Sequence, residues 1–172
     1  MPYPHTPVVA GDKLPLGTTR IEVLGTPGHT SESVTYLVPN VGVFSGDTLF
    51  LAGVGRPDLH ASSLLQTEAR AVLLFRSLKR LTSLDPGLMV FPGHSPEPVR
   101  FDDEVLTASL GDVAARLGDW LVSEDQFVDR IVPRIPPTPP NYLTISESNR
   151  RGEWPDSDPT DLEAGANRCA VS

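Results

Sequence analysis

The chain has 172 residues, 39% of them hydrophobic, a formal net charge of −8 and one cysteine. That length supports a single domain with a real core, and the acidic balance excludes a nucleic-acid partner and an anionic membrane surface. No apolar run approaches the roughly 18 residues of a membrane span, no signal peptide is visible in residues 1–7, and the lone Cys169 cannot form an internal disulfide. A soluble, cytoplasmic protein is expected.

Residues 1–17 read as a leader with no stretch long or β-rich enough to make a strand. Arg20 to Leu24 alternates polar and apolar side chains, a half-buried strand that stops at Gly25. Ser33–Val38 and Val41–Phe44 are β-rich on either side of Pro39-Asn40, which predicts a hairpin over residues 33–44. Ser63 and Gln66 form a capping box. The helix behind it carries Leu65, Ala69, Val72, Leu73 and Leu78 on its apolar stripe, with Arg70, Arg76, Lys79 and Arg80 in solvent. Asp85-Pro86-Gly87 stops that helix near Leu84, and Leu88 to Phe91 reads as a buried strand. Thr107 to Trp120 predicts a second helix with Leu110, Val113, Ala114 and Leu117 inward. Ser123 and Gln126 cap a third, short helix that runs through Val132. Five prolines in residues 133–140 stiffen the backbone toward polyproline II, and residues 153–168 read as a loosely held tail. This order is an α/β layering, divided into a leader 1–17, a domain 18–132 and a Pro-rich extension 133–172.

Three short motifs carry the chemistry: Thr26-Pro27-Gly28-His29-Thr30, Ser45-Gly46-Asp47-Thr48, and Phe91-Pro92-Gly93-His94. Each sets a metal-ligating residue type in a Gly- or Pro-marked turn directly after an apolar strand. Two imidazoles and a carboxylate are the donors that a divalent metal of intermediate hardness selects. Singly, each motif has a plainer reading, a structural or solvated histidine or an Asx turn. Together they predict that His29, Asp47 and His94 converge at one rim, aimed at a common point, with Thr30 and Thr48 in supporting hydrogen bonds. His5 and His60 read as solvated.

In this order the motifs look like the later motifs of the metallo-β-lactamase superfamily, whose fold is an αβ/βα sandwich with a metal site at one sheet rim. The resemblance implies that His29, Asp47 and His94 are metal ligands and that Asp47 is essential for catalysis. The stretch Gly55-Arg56-Pro57-Asp58 is similar to a segment of the persulfide dioxygenases, as are Pro137 to Asn149 and the ending Asn167-Arg168-Cys169-Ala170. That branch implies Fe(II), a glutathione-type thiol or persulfide substrate held by Arg56, and a rhodanese partner. The hydrolase branch implies zinc acting on a thioester or lactone. The superfamily's first motif, His-x-His-x-Asp-His, occurs nowhere in the chain. The expectation is therefore a partial sandwich, its C-terminal two-thirds, that binds metal weakly, exposes a sheet edge and self-associates. A third reading is a non-catalytic fragment that works only with a partner.

Overall fold

Short Gly- and Pro-containing turns in the first 46 residues build an antiparallel meander. The computed structural model describes residues 4–59, 61–95, 104–138, 141–154, 158, 162 and 170–171. Strand β1 (Lys13–Leu16) turns through Gly17-Thr18 into β2 (Thr19–Gly25), and β3 (Val34–Val38) and β4 (Gly42–Gly46) follow as the expected hairpin. Residues Leu24, Thr35, Leu37 and Val43 occupy neighbouring register positions on the face toward the core. Strand β4 then takes β7 (Met89–Pro92) as a parallel neighbour, with Val43 opposite Val90, and β8 (Ala108–Ser109) closes the edge. The six-stranded order is β1-β2-β3-β4-β7-β8.

A parallel pair needs a long crossover, and here the crossover supplies both a second sheet and the main helix. Strands β5 (Leu49–Phe50) and β6 (Gly53–Gly55) pair with each other and with β9 (Ala170–Val171) to make that three-stranded sheet. Helix α1 (Leu64–Thr82) returns across the core, joined by α2 (Leu110–Leu117) and α3 (Glu124–Ile131); α4 (Tyr142–Arg151) contributes no buried residue. One hydrophobic cluster joins both sheets to three helices through Leu24, Val43, Val90, Leu49, Val54, Leu74, Leu78, Leu110, Val113, Phe127 and Ile131. The α/β layering is as expected. No helix among the described residues is long and apolar enough to cross a membrane.

Four expectations change. The leader does hold a strand: Lys13 pairs with Glu22 and Leu16 with Thr19, because Gly17 at φ +56° supplies the turn that a two-residue hairpin loop requires. The extension returns to the fold at its far end, where Val54 pairs with Val171, a side chain 1% exposed. Helix α1 sits in a different rotational phase. Its buried face is Thr67, Ala71, Leu74, Phe75, Ser77, Leu78 and Leu81, whereas Leu65 is 76% exposed and Ala69 and Leu73 also face solvent. Thr67 and Ser77 disguised that face, and both are satisfied by backbone carbonyls, Ser63 O at 3.3 Å and Pro27 O at 2.7 Å. The second helix starts at Leu110, since Ala108 and Ser109 pair with β7 instead. Ser63 caps α1 as expected, though Gln66 Oε1 reaches back to the Ser62 N–H (2.6 Å), one residue earlier than in a strict capping box. His60, Cys169 and most of the expected 153–168 tail lie outside the described residues.

Candidate metal centre

The first of the three motifs is folded by hydrogen bonds of its own backbone. After β2 the Thr26 N–H donates to Ser33 O (2.9 Å) and the Gly28 N–H to Thr30 O (2.9 Å), closing a tight loop. Gly28 has φ +142°, and a Cβ there would lie 2.5 Å from the Leu74 Cα of α1. Only glycine lets the helix rest on this loop. The Ser77 hydroxyl donates to Pro27 O from the same helix. His29 is thereby held 7% exposed beneath α1.

Asp47 sits in the turn that follows β4. The Thr48 N–H donates to Ser45 O (3.1 Å), and Ser45 Oγ donates to Leu49 O (2.6 Å). The Gly93 N–H donates to Gly46 O at 2.9 Å, which brings the third motif alongside the second. A Cβ on Gly93 would lie 2.6 Å from Asp47 Oδ1, so glycine at this position leaves the carboxylate its space. Beneath the site, three buried threonines tie the strands together. Thr26 Oγ1 and Thr35 Oγ1 are 3.0 Å apart, and Thr48 Oγ1 lies 3.2 Å from both Thr26 O and Thr26 Oγ1. Thr48 has its expected supporting role, and Thr30 bonds Ser33 Oγ (2.8 Å). Thr35, Ser45 and Ser77 were missed in the sequence; hydroxyls inside apolar runs were the only available signal.

His29, Asp47 and His94 do come together. His29 Nε2 stands 3.6 Å from Asp47 Oδ2, and His94 Nδ1 stands 2.6 Å from Asp47 Oδ1. The tautomer of neutral His29 follows from its other contact. Its Nδ1 is 2.9 Å from the carbonyl oxygen of Arg56, which can only accept, so Nδ1 carries the proton and Nε2 presents a lone pair. A lone pair and a carboxylate oxygen facing each other at 3.6 Å match the edge of a coordination sphere with ligand bonds of about 2 Å. His29 and Asp47 therefore fit a shared cation. The His94 imidazole makes a short, charge-assisted bond to the other carboxylate oxygen and packs edge-on to Phe50 (centroids 6.4 Å). Among the described residues, no group of three or more His, Cys, Asp or Glu side chains is arranged to hold a metal ion as it stands.

Burial holds the His29 pKa below its usual 6.5, outweighing the upward pull of Asp47 and of the bond to Arg56. A neutral imidazole is the form that can ligate a metal. Arg56, expected to hold the substrate, lies buried. It is 1% exposed, with Nε and Nη2 on the two oxygens of Asp58 (2.7 and 2.8 Å), Nη2 also on Pro136 O (2.8 Å) and Nη1 on Pro137 O (3.1 Å). His5 is exposed.

Solved structures share this arrangement of elements. A metallo-β-lactamase from Staphylococcus aureus superposes with TM-score 0.69 at 27% identity, over 83% of this chain and 42% of that one. The chain is a metallo-β-lactamase fold protein. ETHE1 from Myxococcus xanthus is similarly close, with TM-score 0.65 and 28% identity over 86% of this chain and 60% of that one. Among curated proteins, the hydroxyacylglutathione hydrolase of Brucella anthropi is 38% identical over 85 residues, and that of Brucella ovis 34% over 88. Those alignments take in about half of this chain but only 29% and 31% of the two relatives. No family model matches the chain. The expected metallo-β-lactamase-type fold thus stands, in a chain that spans less than a third of the hydrolases it matches.

Proposed function

We propose that this chain carries part of a metal centre that acts on a glutathione-derived sulfur compound, and that its chemistry is the oxidation of a persulfide to sulfite. The observation that carries the metal is the His29–Asp47 pair, two metal-directed donors 3.6 Å apart with the imidazole tautomer set by Arg56 O. His29 and Asp47 would hold the ion, and His94, bonded to the other Asp47 oxygen, would be the third donor. When bound, the metal supplies a Lewis acid and, if it is iron, a redox centre for dioxygen chemistry. The chain's own part is to keep Nε2 unprotonated, to present a carboxylate anion, and to wall one side of the site with Phe50 and the loop under α1. The Gly55-Arg56-Pro57-Asp58 segment and the similarity to ETHE1 over 86% of the chain support the persulfide reading. The hydrolase relatives support a second one, zinc-dependent cleavage of a glutathione thioester. Donors beyond these three are needed for full coordination, and a second chain is one source of them.

The two readings separate in one assay. Joined to a segment that supplies the remaining donors and loaded with iron, the protein given glutathione persulfide should consume oxygen and release sulfite, and Asp47→Ala should abolish both. Thioester hydrolysis by zinc-loaded protein, with no oxygen uptake under iron, would establish the second reading and remove the first.

A further inference from the structure

Arg56 is the largest side chain buried below 2% exposure in the described structure, and its main chain touches the metal centre. An arginine buried this fully needs its charge and donors satisfied. Asp58 supplies the charge through a two-pronged pair, and the carbonyls of Pro136 and Pro137 accept further N–H donors from 80 and 81 residues away. Proline lacks an N–H, so a diproline in extended backbone leaves carbonyls for a side chain to take. Ile135, directly before it, has φ −60° and ψ 120°.

The carbonyl of Arg56 is thus held from two directions. Behind it, Gly55 lies in β6, pairs with Ala170 of β9, and donates its N–H to Thr48 O (3.3 Å). Ahead of it, the guanidinium is anchored to Asp58 and the diproline. That carbonyl accepts the Nδ1 proton of His29. The competing state is specific: were the carbonyl displaced, the proton would be drawn to Nε2, where Asp47 Oδ2 waits 3.6 Å away as an acceptor. The imidazole would then donate to Asp47 and lose the lone pair that faces it.

We propose that Arg56, clamped by Asp58 and the Pro136-Pro137 carbonyls, is a positioning residue that selects the Nδ1–H tautomer of His29, so that the Pro-rich segment sets the ligand state of a metal centre distant in sequence. The importance of that tautomer rests on the proposed metal-binding reading; the tautomer itself does not. It is read in the metal-free full chain, labelled with ¹⁵N, from long-range ¹H–¹⁵N correlations of the imidazoles at neutral pH. Wild type should show pyrrole-like Nδ1 and pyridine-like Nε2 for His29. In Arg56→Met both His29 nitrogens should shift toward exchange-averaged values while the His94 resonances hold still. Asp58→Asn, which keeps shape and removes the counter-charge, should shift them the same way by less. Zn(II) affinity should fall about 10- to 100-fold in Arg56→Met, the usual consequence of losing support behind a ligand. A general packing defect would move both histidines and the far-ultraviolet spectrum together, which would overturn the proposal. So would folded variants in which His29 keeps its wild-type shifts. Should Arg56→Met fail to fold, Asp58→Asn decides. Zn(II) that perturbs neither His29 nor Asp47 in wild type would remove the metal reading, while the tautomer shifts would still decide the clamp.

Discussion

His29 is the residue at which the site's electrostatics can be measured. Burial lowers its folded pKa below the ordinary 6.5, so between those two values the unfolded chain binds more protons than the folded one. Stability therefore rises with pH through that window, is fully present above about 6.5, and is lost as pH falls through the folded value. Urea midpoints of the metal-free protein should decline from pH 7 to pH 5, and His29→Gln should flatten that slope; an unchanged slope would show that other groups set it. Asp47 contributes the carboxylate that both histidines face. Zn(II) should bind the chain weakly enough for a mild chelator to strip it, and Asp47→Ala should remove the binding seen by calorimetry. Metal surviving the chelator would mean that further donors complete the site. That His29, Asp47 and His94 come together was legible in the sequence because each follows a Gly- or Pro-marked turn at the end of an apolar strand. The clamp was not, since nothing local in Pro136-Pro137 names Arg56 as its partner.

Helix α1 does two jobs, and its phase decides both. Leu74 is fully buried and its backbone rests on Gly28, while Leu65 is 76% exposed. Leu74→Ala should lower stability by about 2–5 kcal/mol, and Leu65→Ala should stay within about 0.5 kcal/mol; equal losses in denaturant titrations would restore the stripe expected from the sequence. That stripe was misread because the helix carries leucines all round, while its inward face includes a threonine and a serine bonded to main chain. Gly28→Ala should be more disruptive than either leucine change, since the left-handed φ is unfavourable for alanine and the added carbon meets backbone, which cannot rotate aside. Unfolding should occur at clearly lower denaturant, and the His29 resonances should move with it.

Across the whole molecule, strand β9 meets a strand that lies far away in sequence. Val171 in β9 is 1% exposed against β6, the strand that leads into Arg56. Val171→Asp should therefore destabilise the fold by a few kcal/mol through burial of an unpaired charge, and should loosen His29 before global unfolding. Amide exchange would show this as early opening of residues 53–56. On the opposite face of the large sheet, Phe44 stacks on Phe91 with centroids 4.7 Å apart while remaining 44% exposed. The self-association expected from the sequence should act through this face, so sedimentation of Phe44→Ser should show less concentration dependence than wild type. A monodisperse wild-type monomer would end that expectation.

By itself the sequence determined strands β2, β3, β4 and β7, helices α1 to α3, the three His- and Asp-bearing turns and the α/β class, because periodicity and turn chemistry are local properties written within five to ten residues. The tertiary structure alone decided that residues 13–16 add a strand, that α1 faces inward through Leu74 rather than Leu65, and that Arg56 is a buried strut. Each of those depends on a partner that the local pattern does not name. β1 needs β2 to pair with across the Gly17-Thr18 turn, α1 needs the Pro27-Gly28 loop to accept its serine, and the Arg56 guanidinium takes two carbonyls 80 and 81 residues away. Such contacts are selected by burial and by the demand that every buried polar group find a partner, and neither condition exists until the chain has folded.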